Sequence, residues 1–209
     1  MPITKPLPEN LQAELAVWKS HQLIECVRSP STGKPLNGSG SQPGSDMVAK
    51  YWREGLGDLQ RNGCSNVAWS AAFICWILRQ AGVKLDEFPF SAGHHTYIRW
   101  AINNSKLSKP GKLYYGMRVA DYRPQPGDMI AQWREAKESD PDPDVSFDNQ
   151  PDDFYASHCD IVTKATSDRI VAVGGNVSNR VKESSFGAID GILKPKKALI
   201  CVLRLAGDA

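Results

Sequence analysis

The strongest hydrophobic pattern in the chain spans residues 66–81, where apolar side chains occupy almost every face of a predicted helix. Asn66 or Ser65 would cap the N-terminus of this helix, and Gly82 would end it. A helix that is apolar on all sides is surrounded by other parts of the protein rather than by water. The pattern therefore predicts a buried helix at the centre of the fold.

Weaker helical periodicity appears in three other segments. Residues 9–28 carry a roughly amphipathic repeat, a second helix would begin at Ser45 or Asp46, and another would span about 92–103. Residues 29–46 are rich in Gly, Ser and Pro, which predicts a mobile loop or linker. We therefore expect an N-terminal helix and flexible loop before the main domain; the division is 1–45 and 46–209.

After residue 112 the pattern changes to short strands. The Pro-Gln-Pro-Gly-Asp turn at 124–128 leads into a predicted strand at 129–133, and the acidic, proline-rich residues 134–156 predict a long surface excursion. Helices followed by antiparallel strands are typical of the α+β class, which we predict for this chain. The remaining strand candidates are 158–164, 169–174 and 198–205.

Composition narrows the possible partners only slightly. The chain has 209 residues, 41% of them hydrophobic, which suits one domain with a sizeable core. Its net charge is +2, from 25 basic and 23 acidic residues, and no block of Lys and Arg dominates a segment. The basic run at 194–197 suits a solvated loop. We therefore expect no nucleic-acid partner.

The five cysteines are odd in number and show no CxxC spacing, so we expect neither a disulfide framework nor a zinc knuckle, and a reducing site of synthesis. Three of them, Cys75, Cys159 and Cys201, lie in apolar surroundings. The first residues lack the apolar stretch of a signal peptide, and the apolar run 67–78 is too short to span a bilayer. We expect synthesis in the cytoplasm without a signal peptide, and no membrane insertion.

Ser70 stands in the first turn of the predicted central helix. Unpaired backbone N–H groups and the positive end of the helix dipole face a side chain there, which favours a nucleophile or an oxyanion. The alternative role is a small residue that permits close packing.

The chain contains only four histidines, and His158 begins an apolar strand. Its imidazole is the side chain best suited to titrate near neutral pH, although a satisfied polar residue at the edge of the core is the simpler reading. Asn176 follows two glycines at the end of the next strand and would orient the imidazole, or else serves as a turn residue. Asp160 lies on the same strand face as His158 and is our second choice for the orienting group.

Four motifs in chain order resemble the NlpC and CHAP superfamily of papain-like amidases. They cover most of the chain, from about residue 48 to residue 204, and an uncharacterised bacterial branch with serine at the nucleophile position is similar too, down to the His-Thr-Tyr-Ile stretch at 95–98. The motifs are Trp-Ser-Ala-Ala-Phe at 69–73, Pro-Gly-Asp at 126–128, Ser-His at 157–158 and Gly-Gly-Asn at 174–176.

The resemblance implies a papain-like fold with the nucleophile helix packed on an antiparallel sheet, and hydrolysis of amide bonds in peptidoglycan stem peptides. By position, Ser70 takes the place of the nucleophile, His158 that of the base and Asn176 that of the orienting group. The family usually carries cysteine where this chain has Ser70. A serine hydroxyl is not ionised in advance by a neighbouring imidazolium, so it needs a base during attack.

Three outcomes stay open at this point. Ser70 is itself the nucleophile, Cys64 supplies a thiol from six residues upstream, or the site binds without cutting or uses a metal. A zinc ion would draw on His94, His95, His158 and Asp160, but their spacing follows no regular zinc motif, and we expect no cofactor. The expected substrate-binding residues are Trp69, His95 and Tyr97, with His95 also able to hold an oxyanion.

The resulting hypothesis is a peptidoglycan amidase or endopeptidase. Because no signal peptide is seen, we expect an antibacterial toxin that a type VI secretion apparatus carries into the periplasm of a target cell, with a cognate immunity protein as a possible partner. The alternatives are a catalytically inactive module that binds the wall or a partner, and a serine esterase. For His94 and His95, the alternative to a role in the site is a water-exposed turn at the start of a helix.

Overall fold

The computed structural model describes residues 7–36, 42–134 and 144–207. Within them the chain forms four α-helices, a short 3-10 turn at Val119–Asp121 and seven strands. The helices are α1 (Leu7–Ser20), α2 (Pro43–Leu56), α3 (Ser70–Gln80) and α4 (His94–Lys106). The strands are β1 (Tyr114–Met117), β2 (Met129–Trp133), β3 (Ser157–Ala165), β4 (Arg169–Gly174), β5 (Lys182–Ile189), β6 (Ile192–Leu193) and β7 (Leu199–Leu205).

All described strands join one antiparallel sheet in the order β1-β7-β2-β3-β4-β5-β6. One apolar core lies between this sheet and the helices, and a second, smaller cluster lies around Ile130, Val162 and Ile170. Side chains alternate along β3, so His158 and Asp160 share the face of Val162 while Cys159 points to the opposite face. The predicted α+β class is confirmed.

The central helix α3 is buried as its pattern predicts, because every residue from 70 to 78 is buried. It begins later than expected, at Ser70, and Trp69 precedes it without a side-chain cap. Ser65 and Asn66 are therefore not its caps. The hydroxyl of Ser65 instead bonds to Asn62, which closes a turn well before the helix.

The N-terminal helix α1 packs into the same core as α3 and the sheet, through Leu11, Leu15 and Trp18. It ends at Ser20, earlier than the predicted residue 28. The chain then runs to a disulfide between Cys26 and Cys64. The expectation that the cysteines form no disulfide is therefore wrong for this pair, because folding brings together two cysteines that lie 38 positions apart.

Strand β2 has the predicted bounds, and β3, β4 and β7 lie within one residue of theirs. Strands β1, β5 and β6 were not predicted; β5 opens with polar residues and is largely exposed on one face. Residues 37–41 and 135–143, which belong to the predicted loops 29–46 and 134–156, lie outside the described residues. No helix among the described residues is long and apolar enough to cross a membrane.

Candidate active site

Ser70 is the first residue of α3, and its hydroxyl oxygen lies 2.6 Å from Nε2 of His94. The side chain is 7% exposed and lines a small cavity. At this position the free N–H groups of the first helical turn surround the hydroxyl, and they favour negative charge that develops on or near it. Ser70 is thus placed as the nucleophile hypothesis requires, with an imidazole in hydrogen-bond contact.

That imidazole belongs to His94 and not to His158. His94 is the first residue of α4 and is 3% exposed, so the interpretation of His94 as part of a water-exposed turn is wrong. Burial, with the nearby His158 and Arg134, lowers the pKa of His94 well below its ordinary value. His94 is therefore a neutral imidazole at neutral pH.

Tyr97 lies one helical turn after His94, and its hydroxyl forms a short hydrogen bond with Nδ1 of that imidazole. Burial raises the pKa of Tyr97 well above its usual range, so the phenol keeps its proton. Two tautomers fit these contacts. Either the phenol donates to Nδ1 and Nε2–H of His94 donates to the oxygen of Ser70, or Nδ1–H donates to the phenol oxygen and Nε2 accepts from the hydroxyl of Ser70.

His158 has a different partner, because its Nε2 lies 2.7 Å from Oδ1 of Asp160. Both side chains are almost completely buried. Asp160, our second choice for the orienting group, and not Asn176, therefore makes the contact with the imidazole of His158. The pairing depends on Gly174 of the neighbouring strand, since a Cβ there would lie 1.8 Å from Oδ1 of Asp160 and 2.9 Å from Nε2 of His158.

The two imidazoles are neighbours. Their ring centroids lie 5.3 Å apart, with the planes tilted by 59°. Across the described residues no hydrogen bond joins Ser70 directly to His158. The structure therefore brings the predicted nucleophile and the predicted base into one cluster, with His94 in contact with the serine and Asp160 in contact with His158.

The cavity beside Ser70 has a volume of about 240 Å³. Asn176 lines it with a left-handed backbone (φ 57°) and is half-buried, so it belongs to the site without contacting His158. The full lining consists of Ala68, Ser70, Ala92, Gly93, His94, Arg134, Phe154, Tyr155, Ala156, Ser157 and Asn176.

The three expected substrate-binding residues lie at different positions relative to the cavity. His95 packs its ring against Phe154 and Tyr155, two residues of the cavity wall. Trp69 is fully buried, and its indole N–H donates to Glu25 rather than facing the cavity. Tyr97 lies behind His94, where it acts on the imidazole and not on a bound molecule.

Cys64 does not supply a thiol, because its sulfur is bonded to Cys26. The three free cysteines are buried, and burial raises the pKa of Cys75 to about 12. In the part of the chain that the structure describes, no group of three or more His, Cys, Asp or Glu side chains is arranged to hold a metal ion. Among the described residues that line the cavity, Ser70 is the one whose hydroxyl is in hydrogen-bond contact with an imidazole.

His94 is the functional residue that the sequence reasoning failed to place. The available signal was the spacing of His94 and Tyr97, since residues three apart on a helix face the same side. Asp160 was considered only as a second choice, and its i,i+2 spacing from His158 proves close enough for a hydrogen bond.

The fold and the cavity define an α+β protein with a serine–histidine contact at the start of a buried helix. The chain belongs to the DUF2272 family, described as "Uncharacterized protein conserved in bacteria", whose model matches residues 40–188. Comparison with curated proteins and with solved structures gives no match.

Proposed function

We propose that this protein is a serine-dependent hydrolase that cuts amide bonds in the stem peptides of peptidoglycan. The observation that carries the catalytic part of the proposal is the cluster of Ser70, His94 and His158 at the N-terminus of α3. The substrate class comes from the resemblance of the four motifs to NlpC and CHAP amidases, which also makes a papain-like architecture part of the proposal.

In this proposal Ser70 attacks the carbonyl carbon of the scissile amide. His158 is the general base: Asp160 holds the proton on Nε2, which leaves the lone pair of Nδ1 to accept the proton of Ser70. The same proton then passes to the leaving amine, which leaves an acyl ester on Ser70. A water molecule, deprotonated by His158 as it attacks, hydrolyses this ester and restores the hydroxyl of Ser70. Contacts between base and nucleophile often close only when substrate binds, so the absence of a direct bond here is compatible with this role.

His94 has a separate task in the mechanism. In the proposed tautomer the proton lies on Nε2, 2.6 Å from the oxygen of Ser70, where it stabilises negative charge as the hydroxyl loses its proton. The first-turn N–H groups of α3 act on the same region. A neutral imidazole suits this task, because it donates a hydrogen bond without adding a second positive charge beside His158 once that residue is protonated.

Export to an oxidising compartment is also part of the proposal. The Cys26–Cys64 disulfide supports it, since such bonds persist in the periplasm and are reduced in the cytosol. We propose that the chain is an antibacterial effector that acts on the wall of a target cell, and that a specialised secretion apparatus and an immunity protein are its partners.

Purified sacculi incubated with the wild-type protein test the proposal. We expect new muropeptides with free amino groups, a loss of at least a thousandfold in their rate of release for Ser70→Ala and His158→Gln, and unchanged folding of both variants by circular dichroism. Ser185→Ala is a matched control, because this serine is exposed on β5 and lies outside the cavity lining. If wild-type protein releases no muropeptide, the proposed cutting activity is wrong.

A second candidate is a wall-binding module without catalysis. The observation that favours it is that, among the described residues, no hydrogen bond joins Ser70 to His158, whose Nε2 contacts Asp160 instead. This alternative predicts that wild type and Ser70→Ala sediment equally with sacculi and that neither releases muropeptides. A panel of short acyl esters and amides separates the amidase from a serine esterase.

A further inference from the structure

The cavity beside Ser70 has one permanently charged side chain in its described lining. Its lining is made mostly of small, aromatic or neutral polar residues, and His94 is neutral. Arg134 is the one permanently charged side chain in the lining, and no carboxylate lines the cavity among the described residues. Among its described lining residues, the cavity that holds Ser70 therefore carries one permanent positive charge.

The position of Arg134 is fixed by the sheet. It directly follows β2, and its backbone N–H donates to the carbonyl of Ala156 at 2.8 Å, which extends the pairing of β2 with β3. Its charge acts on His94, where it disfavours the protonated imidazole. Within the described residues its guanidinium has no recorded ion pair or hydrogen bond, and the residue is exposed.

A guanidinium that lines a cavity without a carboxylate partner is suited to bind an anion from solution. Its planar fork matches the two oxygens of a carboxylate, which it binds through two parallel hydrogen bonds. One positive charge balances a monoanion, and no second cationic side chain lines the described cavity to balance a doubly charged phosphate. The aromatic residues Phe154 and Tyr155 supply apolar wall for the remainder of the ligand.

We propose that Arg134 binds a free carboxylate of the substrate, so that the protein selects peptides with a carboxylate beside the scissile amide. The proposal rests on the proposed hydrolase function and specifies its substrate class. Arg134 would thus be a specificity-determining residue, which positions the amide carbonyl against Ser70 through a contact made at a neighbouring group.

Binding measured without catalysis tests this proposal independently of cutting. Two short stem-type peptides are compared on the Ser70→Ala protein by calorimetry: one carries a free α-carboxylate on the residue next to the scissile amide, and in the other this group is a carboxamide. We expect the acid to bind about 10- to 100-fold more tightly, because a charge-assisted pair replaces a neutral contact.

Variants at the arginine then assign the preference. Adding Arg134→Gln to the Ser70→Ala protein should remove its preference for the acid peptide over the amide peptide. Arg134→Lys should keep only part of this preference, because an ammonium lacks the planar fork of a guanidinium. Arg123→Gln is the matched control, since Arg123 is also exposed but lines a different cavity. Thermal unfolding of both glutamine variants checks that neither change disturbs the fold.

The outcomes are distinct from those of the sacculus assay. Equal affinities for acid and amide, no detectable binding of either peptide, or a preference that survives Arg134→Gln would each overturn the proposal for Arg134. A preference that Arg134→Gln removes, together with a wild-type protein that releases no muropeptide, would support carboxylate binding and refute the hydrolase function.

Discussion

His94 and His158 are two buried imidazoles whose rings lie 5.3 Å apart, yet their surroundings differ. His94 has a phenol behind it and the serine in front, whereas His158 has a carboxylate. A carboxylate stabilises the imidazolium that forms when histidine takes a proton, and a phenol that donates to Nδ1 does not. In the proposed mechanism this difference is the reason that His158 transfers the proton and His94 donates a hydrogen bond.

Asp160→Asn is the change expected to have the largest effect. The amide keeps the shape of the side chain but does not stabilise the charged form of His158, and it permits the wrong tautomer. We expect kcat/KM on a stem peptide to fall by about 10³- to 10⁴-fold with little change in KM. A loss of less than tenfold would contradict the assignment of His158 as the base.

Gly174→Ala is expected to disturb the contact between Asp160 and His158 from the neighbouring strand β4. The new Cβ would lie 1.8 Å from Oδ1 of Asp160, so the carboxylate must move away from His158. We expect the free energy of unfolding to fall by about 3 kcal/mol in urea denaturation, together with a loss of activity. Gly207→Ala is the control, since nothing lies within 4 Å of its Cβ position. Equal stability of the two variants would refute the close contact.

His94→Gln tests the difference between the two histidines through the pH dependence of the free energy of unfolding. Because the pKa of His94 is lower in the folded chain than in the unfolded chain, protons favour unfolding as the pH falls below about 6.5 and on through the folded pKa. Between pH 7 and pH 5 this group alone removes up to about 2 kcal/mol of stability. The variant should show a correspondingly shallower fall in the free energy of unfolding; parallel curves for variant and wild type would contradict a neutral, buried His94.

Tyr97→Phe should have the smallest effect of the four. It deletes the hydrogen bond to Nδ1 of His94 and leaves the pair of His158 and Asp160 intact. We expect about a tenfold loss in kcat/KM, the usual size for one neutral hydrogen bond, and an unchanged acidic limb of the pH–rate profile. If Tyr97→Phe proves more damaging than Asp160→Asn, the two imidazoles exchange roles and His94 is the base.

The local sequence pattern correctly predicted the elements that are buried along nearly their whole length. The all-apolar segment predicted α3, and the strand at 129–133 was placed to the residue. Local pattern did not bring Ser70 and Asn176 together; the resemblance of the four motifs to a known family did, and both residues line one cavity.

Local pattern failed where tertiary packing decides. His94 and His95 are adjacent in the sequence, but only the packing of α4 against the sheet buries the first and leaves the second at the cavity wall. The pairing of Asp160 with His158 depends on a missing side chain on another strand, at Gly174. The odd number of cysteines gives no indication that Cys26 and Cys64 form a disulfide.

The covalent link between Cys26 and Cys64 closes a loop of 38 positions, and the chain-entropy model values such a closure at about 4 kcal/mol. The reduced and the disulfide-bonded forms differ by two electrons and two protons, so the stability of the fold depends on the redox potential of its surroundings. Under reducing conditions the chain unfolds more readily, and an oxidant that accepts the two electrons restores the crosslink together with the stability that it contributes.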